Sequence, residues 1–168
     1  MNRIAKFEKV SFEQFQKDFN KSFPNMDVEA IYESIQLPKR ATKASAGYDF
    51  YAPIAFTLEP QQTIKIPTGI RVWMEHTYVF IIAPRSSLGF KYRMQLDNTI
   101  GVIDADYYES DNEGHIFIKI TNDSKENKTI TLKAGEGFAQ GIFLPYGITI
   151  DDDSNQQRNG GFGSTNQQ

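Results

Sequence analysis

From residue 35 onward the sequence predicts an all-β domain, a sandwich or barrel built from short strands. Three observations carry this. Apolar residues recur at every second position: residues 63–66 and 70–74 alternate, and residues 115–121 put Ile116, Ile118 and Ile120 on one face. Gly, Pro and Asn punctuate these runs at short intervals. No long helical segments alternate with them, as a parallel sheet would require. A chain of 168 residues suggests one domain. It divides into a helical extension over 1–34, a β domain over 35–147 and a flexible arm over 148–168.

The extension opens with Ser11 and Gln14, three residues apart as in a capping box. Phe12, Phe15 and Phe19 then fall at helical spacing and make one aromatic stripe, read as a packing face. Pro24 ends that helix, and Asp27 can cap a second one carrying Val28, Ile31 and Tyr32. In the β region, Asp49 lies inside the aromatic-rich strand 46–51, where a carboxylate needs a partner because burying it alone is costly. The strand 78–82 leads to Arg85, Ser86 and Ser87. A helix or tight turn starting there would offer free N–H groups and two hydroxyls to an anion.

Ile100, Val102 and Ile103 read as a short buried strand, with Gly101 marking a bulge or a close backbone approach. Asp104, Asp106, Tyr107 and Tyr108 follow at once, as the chemically equipped tip of a hairpin. Asp104, held by a stiff strand, can serve as a general base toward a water. Tyr107 can form a flat wall beside it. Residues 122–128 are a polar turn, and residues 129–132 alternate again. The last apolar strand, 138–144, carries Gln140, which must be satisfied by the protein or by a ligand. Residues 151–157 are too polar to bury themselves. The contents of the end, Arg158, Phe162 and three glycines with Ser164 and Thr165, fit a mobile lid. Glycine N–H groups bend around phosphate oxygens, Arg158 brings charge, and Phe162 brings a ring to stack on a base.

Composition excludes several classes. A net charge of −3 and a pI near 5.4 argue against a broad basic surface for duplex nucleic acid. Without Cys there is no disulfide framework or thiolate chemistry. His76 and His115 have no ligand-like spacing, which argues against a structural zinc site or a His-based triad. Asp104-x-Asp106 fails as a calcium loop, because Tyr108 and Glu109 stand where such a loop wants Asp or Asn and then Gly. There is no P-loop, dinucleotide fingerprint or His-Glu-x-x-His. No apolar run is long enough to span a bilayer, and the N-terminus has no signal core, so a cytoplasmic protein with no membrane or nucleic-acid partner is expected.

Five blocks in order resemble the trimeric dUTP diphosphatase (dUTPase) family. They are Ala46-Gly47-Tyr48-Asp49, then Pro84-Arg85-Ser86, then the run Gly101 to Tyr107, then Ala139-Gln140, and last the run Gly160 to Thr165. The resemblance covers roughly residues 35 to 165 and implies a jelly-roll-like β fold and a homotrimer with three shared sites. Each site would take the first, second and fourth blocks from one chain, the third from a neighbour and the fifth from the remaining chain's arm. The implied reaction is dUTP plus water to dUMP plus pyrophosphate by attack on the α-phosphate, limiting uracil in DNA and supplying dUMP. Mg2+ would ride on the triphosphate, with no direct protein ligand and with Asp49 helping through water. By resemblance, Asp104 activates the water. Asn98 bonds uracil together with the backbone at Gly101 and Ile103, and Tyr107 packs under the deoxyribose. Arg85, Ser86, Ser87 and Gln140 hold phosphates. Arg158, Gly163, Ser164 and Thr165 clamp the terminal phosphate, and Phe162 covers the base.

Some positions depart from the family pattern. Ser87 stands where Gly is common, Tyr108-Glu109-Ser110 follows Tyr107 in place of a short step to Gly, and Gly137 stands where Arg is common. Two alternatives follow. The first is a dCTP deaminase of the same fold. The run Arg85 to Leu88 leans that way, but Phe90 stands where a second Arg is expected and Lys119 where the catalytic Glu would fall. The second is a nucleotide-dependent regulator of a protein partner, with the N-terminal segment and residues 108–114 as its contact surfaces.

Overall fold

The structure is a computed structural model that describes residues 2–155. In chain order the elements begin with β1 (Ala5–Lys9), α1 (Phe12–Ser22), α2 (Val28–Ser34), β2 (Lys39–Arg40), β3 (Tyr48–Tyr51), β4 (Phe56–Leu58), β5 (Thr63–Pro67) and β6 (Ile70–Met74). They continue with β7 (Tyr78–Pro84), α3 (Ser86–Tyr92), β8 (Met94–Leu96), β9 (Gly101–Ile103), a 3-10 turn over Ala105–Glu109, β10 (Phe117–Asn122), β11 (Ile130–Leu132) and β12 (Gly137–Pro145). The strands form a five-stranded sheet in the order β2-β3-β12-β7-β9, a three-stranded sheet β5-β10-β8, and the pairs β1-β6 and β11-β4. Every described pairing is antiparallel. The predicted all-β class holds, and the architecture is the jelly roll that the resemblance implies.

The alternation read from the sequence sets the faces. Ile116, Ile118 and Ile120 are all buried and join Phe50, Ile66, Phe80 and Phe138 in the core. The aromatic stripe of α1 packs into the same cluster through Phe15 and Phe19. Ser11 Oγ accepts the Gln14 N–H at 3.1 Å, and Asp27 Oδ1 accepts that of Ala30 at 3.1 Å, so both predicted caps form.

Two expectations are corrected. The N-terminal segment does not start helical: Ala5–Lys9 is a strand paired with β6, Ala5 opposite Met74 and Lys9 opposite Ile70. Phe7 inserts among Tyr48, Phe50, Phe80 and Phe143. With three charged residues in five, this strand is specified by its partner, not by its own propensity. The stretch at 100–103 is not buried throughout, and the turn at 104–108 is not the tip of a hairpin, because β9 pairs with β7 while the next strand, β10, pairs with β5 and β8. As an outer strand, β9 turns Ile103 inward and leaves Val102 49% exposed; Ile100, just before it, is 46% exposed. Gly101 does mark a close approach: a Cβ there would stand 3.1 Å from Ile82 Cβ.

α1 is fastened to the β domain by a buried hydrogen bond to a carboxylate. Asp18 Oδ2 lies 2.8 Å from His115 Nδ1, Gln14 Nε2 donates to the same oxygen at 2.6 Å, and Lys21 Nζ stands 3.5 Å from Oδ1. Burial pushes the Asp18 carboxyl up, but the hydrogen bonds from His115 and Gln14 outweigh it and hold the group below its ordinary range. A depressed carboxyl stabilises the fold above its unfolded pKa and loses that contribution as pH falls through the folded value. The melting temperature of the wild type should therefore exceed that of Asp18→Asn at neutral pH, and the gap should close as pH drops below the ordinary carboxylate range. A gap independent of pH would mean the pair contributes nothing through its charge.

Candidate active site

β3, β12 and β7 lie side by side with Asp49 opposite Gln140 and Gln140 opposite Ala83. This register gathers the first, second and fourth blocks at one end of the large sheet. Arg85, just past β7, places Nε 3.3 Å from Asp49 Oδ1, so the partner that Asp49 required is Arg85. The guanidinium lies over Gly137, where a Cβ would come within 2.7 Å of Nη1. Gln140 Nε2 donates to the Pro84 carbonyl at 3.3 Å, which satisfies a donor the sequence left open. Ser86 and Ser87 are exposed on the first turn of α3, anchored by buried Leu88. The first N–H groups of a helix have no partner inside it. The Arg85 side chain is 40% exposed and that of Asp49 16%, so the guanidinium end of the pair faces water and has room to turn toward a phosphate. The cluster offers a cation and two hydroxyls, with a carboxylate beside them.

The third block lies elsewhere. β9 pairs with β7 so that Ile103 faces Phe80 and Gly101 faces Ile82. Continuing this register brings Asp104 level with Val79, whereas Arg85 is six residues further along β7, roughly 20 Å away. No Arg or Asp side chain spans that distance. Within one chain, Asp104 and Arg85 cannot reach the same phosphate.

Asp104 is exposed and precedes the 3-10 turn in an extended conformation. Tyr107, expected as a flat wall beside Asp104, has its ring inside the protein at 2% exposure. Its hydroxyl donates to the His115 carbonyl at 2.7 Å and accepts from Asn112 Nδ2 at 2.8 Å. Asn98 is exposed on the rim of a cavity of about 400 Å³ lined also by Lys65, Asp97, Asn112, Phe117 and Lys119. Lys119 Nζ sits 2.8 Å from Asp97 Oδ2. Burial pushes the Asp97 carboxyl up, yet hydrogen bonds from Lys119 and Thr121 hold it below its ordinary range. Amide groups and one ring around a recess complement a flat, polar heterocycle.

Reading the sequence missed the contacts behind this turn. Arg71 stacks on the Tyr108 ring at 3.6 Å, and His115 pairs with Asp18. A positive residue in an alternating strand and a histidine at a strand start are signals, but neither names its partner. Arg158, Phe162, Gly163, Ser164 and Thr165 lie outside the described residues.

Among the described residues no three His, Cys, Asp or Glu side chains form a metal-holding group. The donor set suits an ion that arrives with its own phosphate ligands: Mg2+ keeps several waters and takes one or two carboxylates. Asp49, with one oxygen on Arg85 and a side chain 16% exposed, fits contact through water.

Comparison with known proteins agrees with this geometry. The dUTPase family model matches residues 33–166. A deoxyuridine 5'-triphosphate nucleotidohydrolase of Lactococcus lactis is 42% identical over 135 residues, covering 78% of this chain and 88% of the relative. The crystal structure of dUTPase from Streptococcus mutans superposes with a TM-score of 0.63 at 33% identity, covering 85% of this chain and 97% of that one. A mutant dUTPase of phage phi11 of S. aureus, 20% identical with a TM-score of 0.64 over 92% of this chain and 98% of its own, shares the fold. This chain therefore belongs to the dUTPase family and is an enzyme that hydrolyses deoxyuridine triphosphate.

Proposed function

We propose that the reaction is attack of water on the α-phosphate of dUTP, giving dUMP and pyrophosphate, in sites shared between the chains of a homotrimer. One observation carries the shared-site reading. Asp49, Arg85 and Gln140 converge, while Asp104 stands at the far end of β7. A base and a phosphate clamp must meet on one substrate, so they come from different copies of the chain. The exposed apolar residues Ile100 and Val102 around β9, next to Asp104, suit burial against such a copy.

In this reading Asp104 accepts the proton of the attacking water. Arg85 and the hydroxyls of Ser86 and Ser87 bind the phosphates and neutralise charge as the bond to the leaving pyrophosphate breaks. Gln140 orients the same group from β12. Asn98 bonds the uracil edge with the backbone at Gly101 and Ile103, and Tyr107 backs the sugar as a fixed wall. Arg158, Phe162, Gly163, Ser164 and Thr165 of the C-terminal arm close over base and terminal phosphate, excluding water. Mg2+ bound to the triphosphate supplies further charge neutralisation, with Asp49 contacting its hydration shell. The phage phi11 relative coordinates a structural Mg(II) ion; the ion proposed here travels with the substrate. The protein works in the cytoplasm. The deaminase reading is disfavoured because Lys119, on Asp97, presents a cation where a deaminase needs a carboxylate base, and Phe90 is 94% exposed with no cationic group.

The test is pyrophosphate release from dUTP, dCTP, dTTP and UTP in parallel. A site that pairs polar edges rejects the wrong base by ~10^4 or more, so dUTP should dominate, EDTA should abolish turnover and added Mg2+ should restore it. Ammonia release from dCTP, or turnover of UTP equal to that of dUTP, would contradict the assignment.

A further inference from the structure

The turn that carries Asp104 is held from behind by the N-terminal segment, along two chains of contacts. The first starts at Asp18 on α1, whose side chain is 8% exposed and meets fully buried His115 at Nδ1. His115 Nε2 accepts the Gly69 N–H at 2.9 Å, so the ring proton sits on Nδ1 and is donated to Asp18. The carbonyl of the same His115 accepts the Tyr107 hydroxyl at 2.7 Å. The second chain starts at Ser11, whose N–H and hydroxyl both bind the Glu113 carboxylate, at 2.7 and 2.6 Å. Glu113 reaches Arg71 at 4.0 Å. Arg71 stacks on the Tyr108 ring and donates to the Tyr108 carbonyl at 3.1 Å. The Tyr108 hydroxyl closes the circuit on Glu8 of β1, at 2.5 Å.

We propose that the N-terminal segment is a positioning clamp for the catalytic turn: Asp18 acting through His115 and Tyr107, and Glu8 acting through Tyr108, fix the direction in which Asp104 faces its water. This rests on the reading of Asp104 as the general base. The turn needs external support for a physical reason. A 3-10 segment of five residues has poor internal hydrogen bonding, and the strand feeding it has three residues and one paired edge. A misplacement of about 1 Å at a reacting group can cost ~10^2 in rate, so small freedom here matters. A purely structural extension needs only its aromatic stripe, which Phe15 and Phe19 already bury. A buried hydrogen bond from an imidazole N–H to a carboxylate is directional and fixes orientation, which apolar packing alone does not. Asp18 and Glu8 are positioning residues and do not touch substrate.

The experiment compares kcat, KM and melting temperature for Asp18→Ala, Asp18→Asn and Val28→Ala, with Asp104→Asn alongside. Val28 is buried in α2 outside both chains of contacts, so its truncation loosens the extension without cutting the clamp. Asp18→Ala should lower kcat about 10-fold while KM changes less than about 2-fold, the split expected when alignment and not binding is lost. Asp18→Asn keeps an oxygen for His115 Nδ1–H and should recover most of the rate. Val28→Ala should lose melting temperature but not kcat. An unchanged kcat in Asp18→Ala, or an equal loss in Val28→Ala, overturns the clamp. Should Asp18→Ala not fold, Glu8→Ala and Tyr108→Phe decide, since each removes one end of one bond. Similar losses in kcat that do not add in the double variant support the proposal, and additive or absent losses overturn it. Asp104→Asn separates the two readings. If it is inactive while Asp18→Ala is fully active, only the clamp falls; if it is active, the base assignment falls and the clamp with it.

Discussion

Asp104→Asn is expected to give a folded protein that binds dUTP and turns it over at least ~10^2 more slowly, the usual contribution of a general base. Asn has the shape of Asp but almost no basicity, so the change removes a proton acceptor and keeps the shape. Asp104 is exposed at the end of β9 and makes no side-chain cap bond to the following turn. A rate loss of ~10^2 corresponds to ~2.7 kcal/mol of transition-state stabilisation, which is read from turnover and not from the melting curve. Rate and stability are therefore separable. Pyrophosphate release gives the rate, calorimetry with a non-hydrolysable dUTP analogue gives the affinity, and thermal unfolding gives the stability. Turnover near that of the wild type in a well-folded variant removes Asp104 from the chemistry.

What the sequence discloses follows from how local each determinant is. The period-two face of Ile116, Ile118 and Ile120 is written in seven residues, and all three are buried. The caps at Ser11 and Asp27 are written in four, and both form. The capping box at Ser11 is only half made. Gln14 turns its side chain to Asp18, and the Ser11 N–H goes to Glu113, 102 residues away. The need of Asp49 for a partner is local, but the identity of Arg85 is not, because β12 has to run between β3 and β7 before the two meet.

Where the determinants are distant, reading the sequence misleads. β1 is charged at three of five positions and is a strand only because β6 offers it an edge. The apolar letters at Ile100 and Val102 suggest burial, yet β9 is the last strand of its sheet and has one inward face. The same letters become intelligible when a second copy of the chain is expected against that edge. Tyr107 is read as a flat wall, but the sequence names neither partner of its hydroxyl, the His115 carbonyl and Asn112. Residues 110–115 supply both, in the stretch where the chain departs from the family pattern.

Mixing two inactive variants should regenerate activity. Arg85→Ala removes the cation of the phosphate cluster and should cost ~10^2 to 10^3 in turnover, as the loss of one transition-state donor does. Thermal unfolding of Arg85→Ala alone checks that the fold survives, since the Asp49 left behind is 16% exposed and loses this partner. Asp104→Asn is inactive for the separate reason given above. If Arg85 and Asp104 of one site belonged to one chain, every chain in a mixture would lack one of them, and no site could work. The roughly 20 Å between them along β7 requires the opposite. With cyclic threefold symmetry, each mixed trimer then contains a single site that draws Arg85 from one variant and Asp104 from the other. Equal amounts assembled at random put three quarters of trimers in mixed form, so about one quarter of all sites should be complete. The measurement is pyrophosphate release at saturating dUTP from variants co-expressed with different tags and purified through both. Doubly tagged trimers contain one complete site in three and should show about a third of the wild-type rate. Silent doubly tagged trimers would mean that both groups act from the same chain, and the shared-site assembly would have to be abandoned.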